Sequence, residues 1–158
     1  MPKKPKILLV EDNRDDEDLA LLAIEISGVP CEVQVARDGA EALKILMGED
    51  GGRANDLTAP PRLVILDLKM PKVSGLEVLE AMRKDPRNKH VPVVVLTSSA
   101  EERDLADAYA FGATSYIRKP IDLEDFNVIM AGICSYWLLW NENPPSVNSD
   151  RAVDDTPA

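Results

Sequence analysis

Five side chains that could hold a metal ion or a phosphate lie at or shortly after the end of an apolar run in this chain of 158 residues. Glu11 and Asp12 follow "KILLV", and Asp67 follows "RLVIL". Thr97 ends "VPVVVLT", and Lys119 comes shortly after "TSYI". Three carboxylates within a few ångströms repel one another, so such a cluster is stable only when a cation or a proton neutralises it. If the fold brings them together, they indicate a site for Mg²⁺, which binds one or two carboxylates, several waters and phosphate oxygens.

The apolar runs alternate with segments of helical periodicity, and this order positions the five side chains. The predicted strands are residues 6–10, 32–36, 62–66, 91–97 and 114–117, and a predicted helix follows each of them. Such alternation is typical of an α/β fold, here (βα)5, with a doubly wound five-stranded parallel sheet and helices on both faces. Ligand sites in these sheets form at the carboxyl ends of the strands. The five side chains are therefore expected at one edge of the sheet.

Capping residues and apolar spacing define the predicted helices. Asn13 and Gly28 are expected to begin and end the first helix, and Asp122 is expected to cap the last one. The buried face of the first helix is predicted to carry Leu19, Leu22, Ala23 and Ile26. The stretch 48–61 is rich in Gly, Pro and polar residues, so it predicts a surface loop.

Composition and charge narrow the possible functions. No apolar run reaches the roughly 18 residues that a membrane span requires. The N-terminus also lacks the apolar core of a secretory signal, so a cytoplasmic protein without membrane contact is expected. A net charge of −10 disfavours nucleic acid as a partner, because binding to a phosphate backbone depends on cationic side chains.

The length suits a single domain of roughly 100–200 residues. We expect this domain at residues 1–140, followed at 141–158 by a flexible polar tail, "NENPPSVNSDRAVDDTPA". No DNA-binding or catalytic output domain fits into that tail. Output is therefore expected to proceed through contacts with other proteins.

Four motifs, "LLVEDN", "LDLKMPKVSG", "VVVLTSS" and "YIRKP", together resemble the receiver domain of two-component response regulators. The spacing agrees, with 30 positions from Asp67 to Thr97 and 22 more to Lys119. The resemblance runs from about Lys6 to about Ile133 and implies the flavodoxin-like receiver topology. Stand-alone receivers that serve bacterial phytochrome histidine kinases are the most similar, since they share "VEDN", an extended loop before the acceptor strand and an aromatic "YW" in the last helix.

This resemblance implies a role for each residue of the predicted site. Asp67 would accept a phosphoryl group from the phosphohistidine of a histidine kinase. Asp12 and Asp67 would bind Mg²⁺ directly, Glu11 would bind it through a water, and Lys69 would contribute its backbone carbonyl. Lys119 would place a cation beside the phosphoryl oxygens. The chain would then catalyse only its own phosphorylation and dephosphorylation, as a phosphoacceptor signalling protein and not as an enzyme.

The resemblance also implies a switch. The Thr97 hydroxyl would move to bond a phosphoryl oxygen, and the Tyr116 ring would turn into the vacated space. Family members carry a cis bond before the residue equivalent to Pro120. Lys69 and Ser99, two residues after the acceptor and two after Thr97, depart from common choices or lie at variable positions, which leaves the rate of self-dephosphorylation open.

The last helix predicts an interface. Its apolar residues recur at three- and four-residue steps: Phe126, Ile129, Met130, Ile133, Trp137 and Trp140. Since the end of this helix is expected to overhang the domain, a two-fold homodimer with contacts from Phe126 through Trp140 is predicted. The alternative is that this end folds back onto the chain's own core.

Three other functions are weighed against the receiver. A haloacid-dehalogenase-type phosphatase needs a second aspartate two positions after the nucleophile, where this chain has Lys69. A flavodoxin-like cofactor binder needs a phosphate-binding loop after the first strand, where "VEDNRDD" offers acids instead. A receiver-like module that binds partners without phosphorylation is disfavoured by the intact acids, Thr97 and Lys119.

Overall fold

A computed structural model describes residues 4–48, 60–120 and 122–145, and in this part of the chain strands and helices alternate as predicted. The strands are β1 (Lys6–Val10), β2 (Glu32–Ala36), β3 (Leu63–Leu66), β4 (Val93–Thr97) and β5 (Ser115–Arg118). The helices are α1 (Arg14–Ser27), α2 (Gly39–Met47), α3 (Gly75–Lys84), α4 (Glu102–Ala110) and α5 (Leu123–Cys134). A π-helical segment, Ser135–Trp140, continues α5.

The five strands form one parallel sheet in the order β2-β1-β3-β4-β5, which confirms the predicted doubly wound topology. The strand order reverses at β1 and β3, so the carboxyl ends of these neighbours border the crevice where such sheets bind ligands. Val10 pairs with Leu66 in the register, and the residues that follow them are Glu11 and Asp67. The register of the sheet therefore brings two of the predicted acids side by side.

The core has two layers, one on each face of the sheet. Ile7 and Leu9 of β1 pack into the cluster that contains residues of α1 and α5. Leu8 and Val10 pack into the cluster that contains residues of α2 and α3. Because β3 and β4 are also buried along their whole length, the strands that carry the predicted site are held from both sides.

The predicted ends of α1 are confirmed, but of its predicted buried face only Ala23 is buried. The Asn13 side chain accepts a hydrogen bond from the Asp16 amide at 2.9 Å, and Gly28 ends the helix with a left-handed φ of 75°. The buried residues are Glu17, Ala20, Ala23 and Ile24, whereas Leu19, Leu22 and Ile26 are exposed. Small alanines allow α1 to lie close to the core, and Arg37 pairs with the buried Glu17 at 2.9 Å, which makes burial of that carboxylate tolerable.

The last helix corrects part of the interface prediction. Phe126, Met130 and Ile133 are buried in the core that includes α1 and β1, so they are not available to a second copy. Ile129 and Trp137 pack partly against the same core, whereas Trp140 is 76% exposed. The physical reason is that one side of α5 covers the sheet over most of its length, whereas the π-helical end exposes Tyr136, Leu139 and Trp140 together.

Most of the predicted loop, at residues 49–59, and residues 146–158 of the predicted tail lie outside the described residues. Residues 141–145 belong to no helix or strand, and Asn143 donates a hydrogen bond to the Arg62 carbonyl at 3.3 Å. Within the described ranges, no helix has both the length and the apolar character needed to cross a membrane.

Candidate functional site

The ends of β1 and β3 bring three carboxylates together, as predicted. Glu11, Asp12 and Asp67 can each offer one oxygen such that these oxygens all lie within 4.8 Å of one another. The sheet continues one bond past β3, because the Asp67 amide donates to the Val10 carbonyl at 3.1 Å. Glu11 and Asp67 are only 4% and 7% exposed, whereas Asp12 is exposed. Of the three carboxylates, Asp12 is thus the most open to solvent.

Lys119 lies within reach of this cluster. Its Nζ is 2.9 Å from Glu11 Oε1, 3.2 Å from Asp16 Oδ2 and 3.7 Å from Asp67 Oδ2. The Lys119 amide donates to the Thr97 carbonyl at 2.8 Å, which fixes the backbone from which this side chain extends. Asp16 was not among the predicted site residues. It lies in the first turn of α1, which begins just after the Glu11–Asp12 pair, and this closeness in the chain could have pointed to it.

Burial shapes the charges at the site. Burial raises the pKa of Glu11 to about 7; the hydrogen bond from Lys119 opposes this rise, and the charge of Asp67 adds to it. Burial lowers the pKa of Lys119, but its hydrogen bond to Glu11 and the charges of Asp67, Glu11 and Asp16 outweigh burial and raise it. One ammonium does not balance these carboxylates, so a further cation would favour their ionised forms.

The carboxylates fit a hard divalent cation. Two oxygens that bind one Mg²⁺ at about 2.1 Å lie at most about 4.2 Å apart. The spread of up to 4.8 Å among the three carboxylates therefore suits a cation that two of them bind directly while the third acts through a water. All of these ligand atoms are oxygens, which Mg²⁺ and Mn²⁺ prefer.

The backbone after Asp67 is closely packed against the start of α3. A Cβ added to Gly75 would lie 2.4 Å from the Asp67 carbonyl oxygen and 2.8 Å from the Leu68 Cα, so only glycine fits there. Lys72 in the same loop has a φ of 64°, a left-handed conformation that is uncommon for a residue with a long side chain. The Lys69 amide donates to Asp67 Oδ1 at 3.3 Å. Asp67 is therefore positioned from both the strand and the following loop.

Thr97 and Tyr116 are linked through Ser99. Thr97 is fully buried, and its Oγ1 accepts a hydrogen bond from the Ser99 amide at 3.3 Å. The half-buried Tyr116 donates from its hydroxyl to the Ser99 carbonyl at 3.3 Å. A movement of Thr97 toward Asp67 would thus reach Tyr116 through the Ser99 backbone.

The bond between Lys119 and Pro120 differs from the expected geometry. It is trans, since none of the peptide bonds among the described residues is cis. Trans is the common form, because about 5–6% of X–Pro bonds in folded proteins are cis. This corrects the cis bond that the resemblance implied.

An apolar cavity of about 290 Å³ adjoins the site between α1 and α5. Leu9, Ile65 and Leu96 of the sheet contribute to its lining, together with Asp67 and Lys119. The exposed residues Leu19 and Leu123 also line it. This cavity was not predicted from the sequence, because it depends on the spacing between two helices that are far apart in the chain.

A model of the response regulator receiver domain family matches residues 7–130. The chain belongs to this family. It is therefore a phosphoacceptor signalling protein, and the predicted receiver fold is confirmed. Membership decides against the haloacid-dehalogenase phosphatase and the flavin-binding alternatives.

Two curated relatives match most of the chain. The "Probable methanogenesis regulatory protein FilR2" of Methanothrix harundinacea is 42% identical over 139 residues, which cover 87% of this chain and 86% of that protein. The response regulator Rcp1 of a Synechocystis strain is 37% identical over 132 residues, which cover 84% of this chain and 88% of Rcp1. Both relatives are thus similar over nearly their full length.

Two solved receiver structures are similar in fold and sequence. The phosphorylated cyanobacterial phytochrome response regulator RcpA has a TM-score of 0.82 and 40% identity, covering 90% of this chain and 100% of RcpA. The Mn²⁺-bound form of Rcp1 has a TM-score of 0.79 and 36% identity, with the same coverage of 90% and 100%. The chain is therefore similar to a phytochrome response regulator and to a response regulator with a bound divalent metal.

Proposed function

We propose that this chain is a stand-alone response regulator that accepts a phosphoryl group on Asp67 from a histidine kinase, with Mg²⁺ bound. The observation that carries this proposal is the position of Asp67, nearly buried at the end of β3 between two further carboxylates and the Lys119 ammonium. An acyl phosphate needs a fixed carboxylate that a partner can reach and that lies beside a cation. Asp67 meets these requirements.

Each residue of the site has a proposed role in the transfer. Asp12, Asp67 and the Lys69 carbonyl would bind Mg²⁺ directly, and Glu11 would act through a water. When bound, Mg²⁺ neutralises charge between the carboxylate and the phosphoryl oxygens. An Asp67 carboxylate oxygen attacks phosphorus and forms the O–P bond, while the P–N bond breaks and its electron pair stays on the imidazole of the kinase. Lys119 stabilises the phosphoryl oxygens, being already 3.7 Å from Asp67 Oδ2.

The readout proposed for this site begins at Thr97. A phosphoryl group adds roughly −2 charge and three acceptor oxygens beside Asp67. The Thr97 hydroxyl would turn to donate to one of these oxygens, and Tyr116 would follow through its bond to the Ser99 carbonyl. The surface formed by α4, β5 and α5 would change, and a partner protein would read this change.

The kinase is proposed to be a phytochrome histidine kinase, such as a bacteriophytochrome, in the cytoplasm. The similarity to RcpA, a phytochrome response regulator, supports this choice. Beside Asp67, the apolar cavity and the exposed Leu19 and Leu22 of α1 offer a surface to which a partner could bind. Neither nucleic acid nor membrane is proposed as a partner, given the net charge of −10.

We also propose a receiver domain at residues 1–140 and a tail at 141–158. A homodimer is proposed to form through the end of the last helix. Tyr136, Leu139 and Trp140 are exposed at the π-helical segment, and aromatic and leucine side chains are typical of interface cores. The proposed dimer contacts are therefore limited to the C-terminal end of the predicted interface, which ran from Phe126 through Trp140. π-helical turns are also frequent at functional sites.

The acceptor is tested by incubating the chain with acetyl phosphate and Mg²⁺ and measuring its intact mass. One phosphoryl group is expected, with acetate released, and removal of Mg²⁺ should prevent it. Asp67→Asn should abolish labelling, whereas the control Asp15→Asn, which alters an exposed carboxylate in the first turn of α1, should not. Unchanged labelling of Asp67→Asn would refute the assignment.

The dimer is tested by light scattering at micromolar concentration. A dimer is expected for the wild type, because the exposed aromatic end of the last helix is covered on association. Trp137→Ala/Trp140→Ala should shift it to a monomer, whereas Val128→Ala, which alters another exposed apolar residue of α5, should not. A monomeric wild type, or a dimer that persists in the double variant, would contradict the interface.

A further inference from the structure

The side chain of Lys69 connects the segment between Asp67 and α3, which we call the acceptor loop, to α4. Lys69 lies two residues after Asp67, and its amide donates to Asp67 Oδ1 at 3.3 Å. Its Nζ is 3.1 Å from Oδ2 of Asp104, a residue of α4. The loop that follows the acceptor is thus joined by an ion pair to a helix that begins more than thirty residues later.

The same carboxylate oxygen of Asp104 also binds Ser99. The Ser99 hydroxyl donates to Asp104 Oδ2, so Lys69 and Ser99 share one acceptor atom. Ser99 is itself the residue that connects Thr97 to Tyr116, through its amide and its carbonyl. Asp104 therefore contacts both the acceptor loop and the proposed switch.

The contact favours the ionised forms of both Lys69 and Asp104. The hydrogen bonds from Ser99 and Lys69 lower the pKa of Asp104, and the hydrogen bond to Asp104 raises the pKa of Lys69. The other titratable neighbours with an influence on the pair are Glu101, Arg103 and Tyr116. The Lys69 side chain is 58% exposed, and exposed ion pairs are weak, so a stronger anion nearby could replace Asp104.

We propose that Asp104 is a positioning residue that holds Lys69 and Ser99 in the unphosphorylated chain. A phosphoryl group on Asp67 competes with Asp104 for the Lys69 ammonium. When Lys69 leaves, Asp104 keeps Ser99 as its partner, but the two are no longer tied to the loop after Asp67. Ser99 and Asp104 can then move together with Thr97 and Tyr116. This inference rests on the proposed function, because it requires Asp67 to be the acceptor.

The Lys69–Asp104 ion pair is predicted to make phosphorylation of Asp67 less favourable. Whatever free energy the Lys69–Asp104 contact contributes in the unphosphorylated state must be given up if Lys69 turns to the phosphoryl group. Removal of Asp104 should therefore favour the phosphorylated state. Since Lys69 carries the effect, removal of Asp104 should matter only while Lys69 is present.

The test compares Asp104→Asn with Asp107→Asn. Asp107 lies about one turn further along α4 and pairs with Arg103 at 3.9 Å, so its substitution removes the same charge from the same helix. Each full-length variant is incubated with acetyl phosphate and Mg²⁺, and intact mass gives the rate of labelling and, after donor removal, the rate of decay. The ratio of these rates should rise about threefold in Asp104→Asn and stay at the wild-type value in Asp107→Asn.

A second pair of variants separates positioning from general electrostatics. In a Lys69→Gln background, Asp104→Asn should change the ratio no further, whereas an effect of charge alone would persist. Asp104→Glu, which keeps the carboxylate, should restore behaviour close to wild type. Thermal unfolding followed by circular dichroism checks that each variant is folded.

The outcomes distinguish this inference from the proposed function. A wild type that takes up no phosphoryl group overturns the proposed function, and the inference with it. A wild type that is labelled on Asp67, together with an Asp104→Asn ratio equal to that of Asp107→Asn, overturns the inference alone. Full additivity of Asp104→Asn and Lys69→Gln also overturns it alone.

Discussion

Two lysines flank Asp67, and they differ in burial and in the number of their partners. The side chain of Lys119 is 15% exposed and lies within 4 Å of carboxylates from Glu11, Asp16 and Asp67. The side chain of Lys69 is 58% exposed and pairs with Asp104 alone among the ion pairs of the described residues. Charges interact strongly where water is excluded and weakly where it is not. Lys119 is therefore part of the charge balance that the folded site requires, and Lys69 is free to exchange partners.

The largest expected effect is on Mg²⁺ affinity, which should depend on the acids near Lys119 and not on Asp104 near Lys69. The affinity is measured by calorimetry without a phosphodonor. Asp12→Ala should weaken binding on the order of 100-fold because a direct ligand is lost, and Glu11→Ala about tenfold because a water-mediated contact is lost. Asp104→Asn, on the Lys69 side, should leave the affinity unchanged. Equal losses in the two acidic variants, or a greater loss in Glu11→Ala, would contradict the assignment of Asp12 as the direct ligand.

The next effect concerns the loop that carries Lys69. Gly75→Ala places a methyl group 2.4 Å from the Asp67 carbonyl oxygen, so α3 or the acceptor loop must shift. Such overpacking should lower the free energy of unfolding by about 1–3 kcal/mol, as measured by urea denaturation. Gly132→Ala is the matched control, because nothing lies within 4 Å of its added Cβ, and it should not destabilise the chain. Equal stability of the Gly75 variant and wild type would show that the loop adapts freely.

The smallest effect compares the lysines directly in urea denaturation without Mg²⁺. Lys119→Met leaves buried carboxylates without their cation and should lower the free energy of unfolding by about 1–2 kcal/mol, less than for a fully buried pair because Glu11 can take up a proton. Added Mg²⁺ should restore most of this loss. Lys69→Met should cause no measurable change, since its ion pair is exposed. Similar losses in the two variants would remove the distinction between the lysines.

Much of the site could be predicted from sequence because strand ends and spacing are local properties. Glu11, Asp12 and Asp67 follow apolar strands, and the parallel topology leaves their meeting place little freedom. The polar caps at Asn13 and Asp122 were equally readable, since each accepts a hydrogen bond from an amide two or three residues later.

Other features depended on which surfaces meet, and apolar periodicity does not specify this. In α1, the spacing of Leu19, Leu22 and Ile26 resembles a buried face, but these side chains are exposed. The helix buries Glu17, Ala20 and Ile24, and the ion pair from Arg37 makes burial of Glu17 tolerable. In α5, the same stripe carries Phe126 into the core and leaves Trp140 exposed.

The sequence by itself determined the order of strands and helices, their caps, and the chemical types at the strand ends, because these follow from residues near one another in the chain. Only the tertiary structure decided the partners of the two lysines. Lys119 meets Asp16 across 103 positions, and Lys69 meets Asp104 from another element. Contacts of this kind depend on how helices are placed over the sheet, and that placement is set by the packing of the whole core.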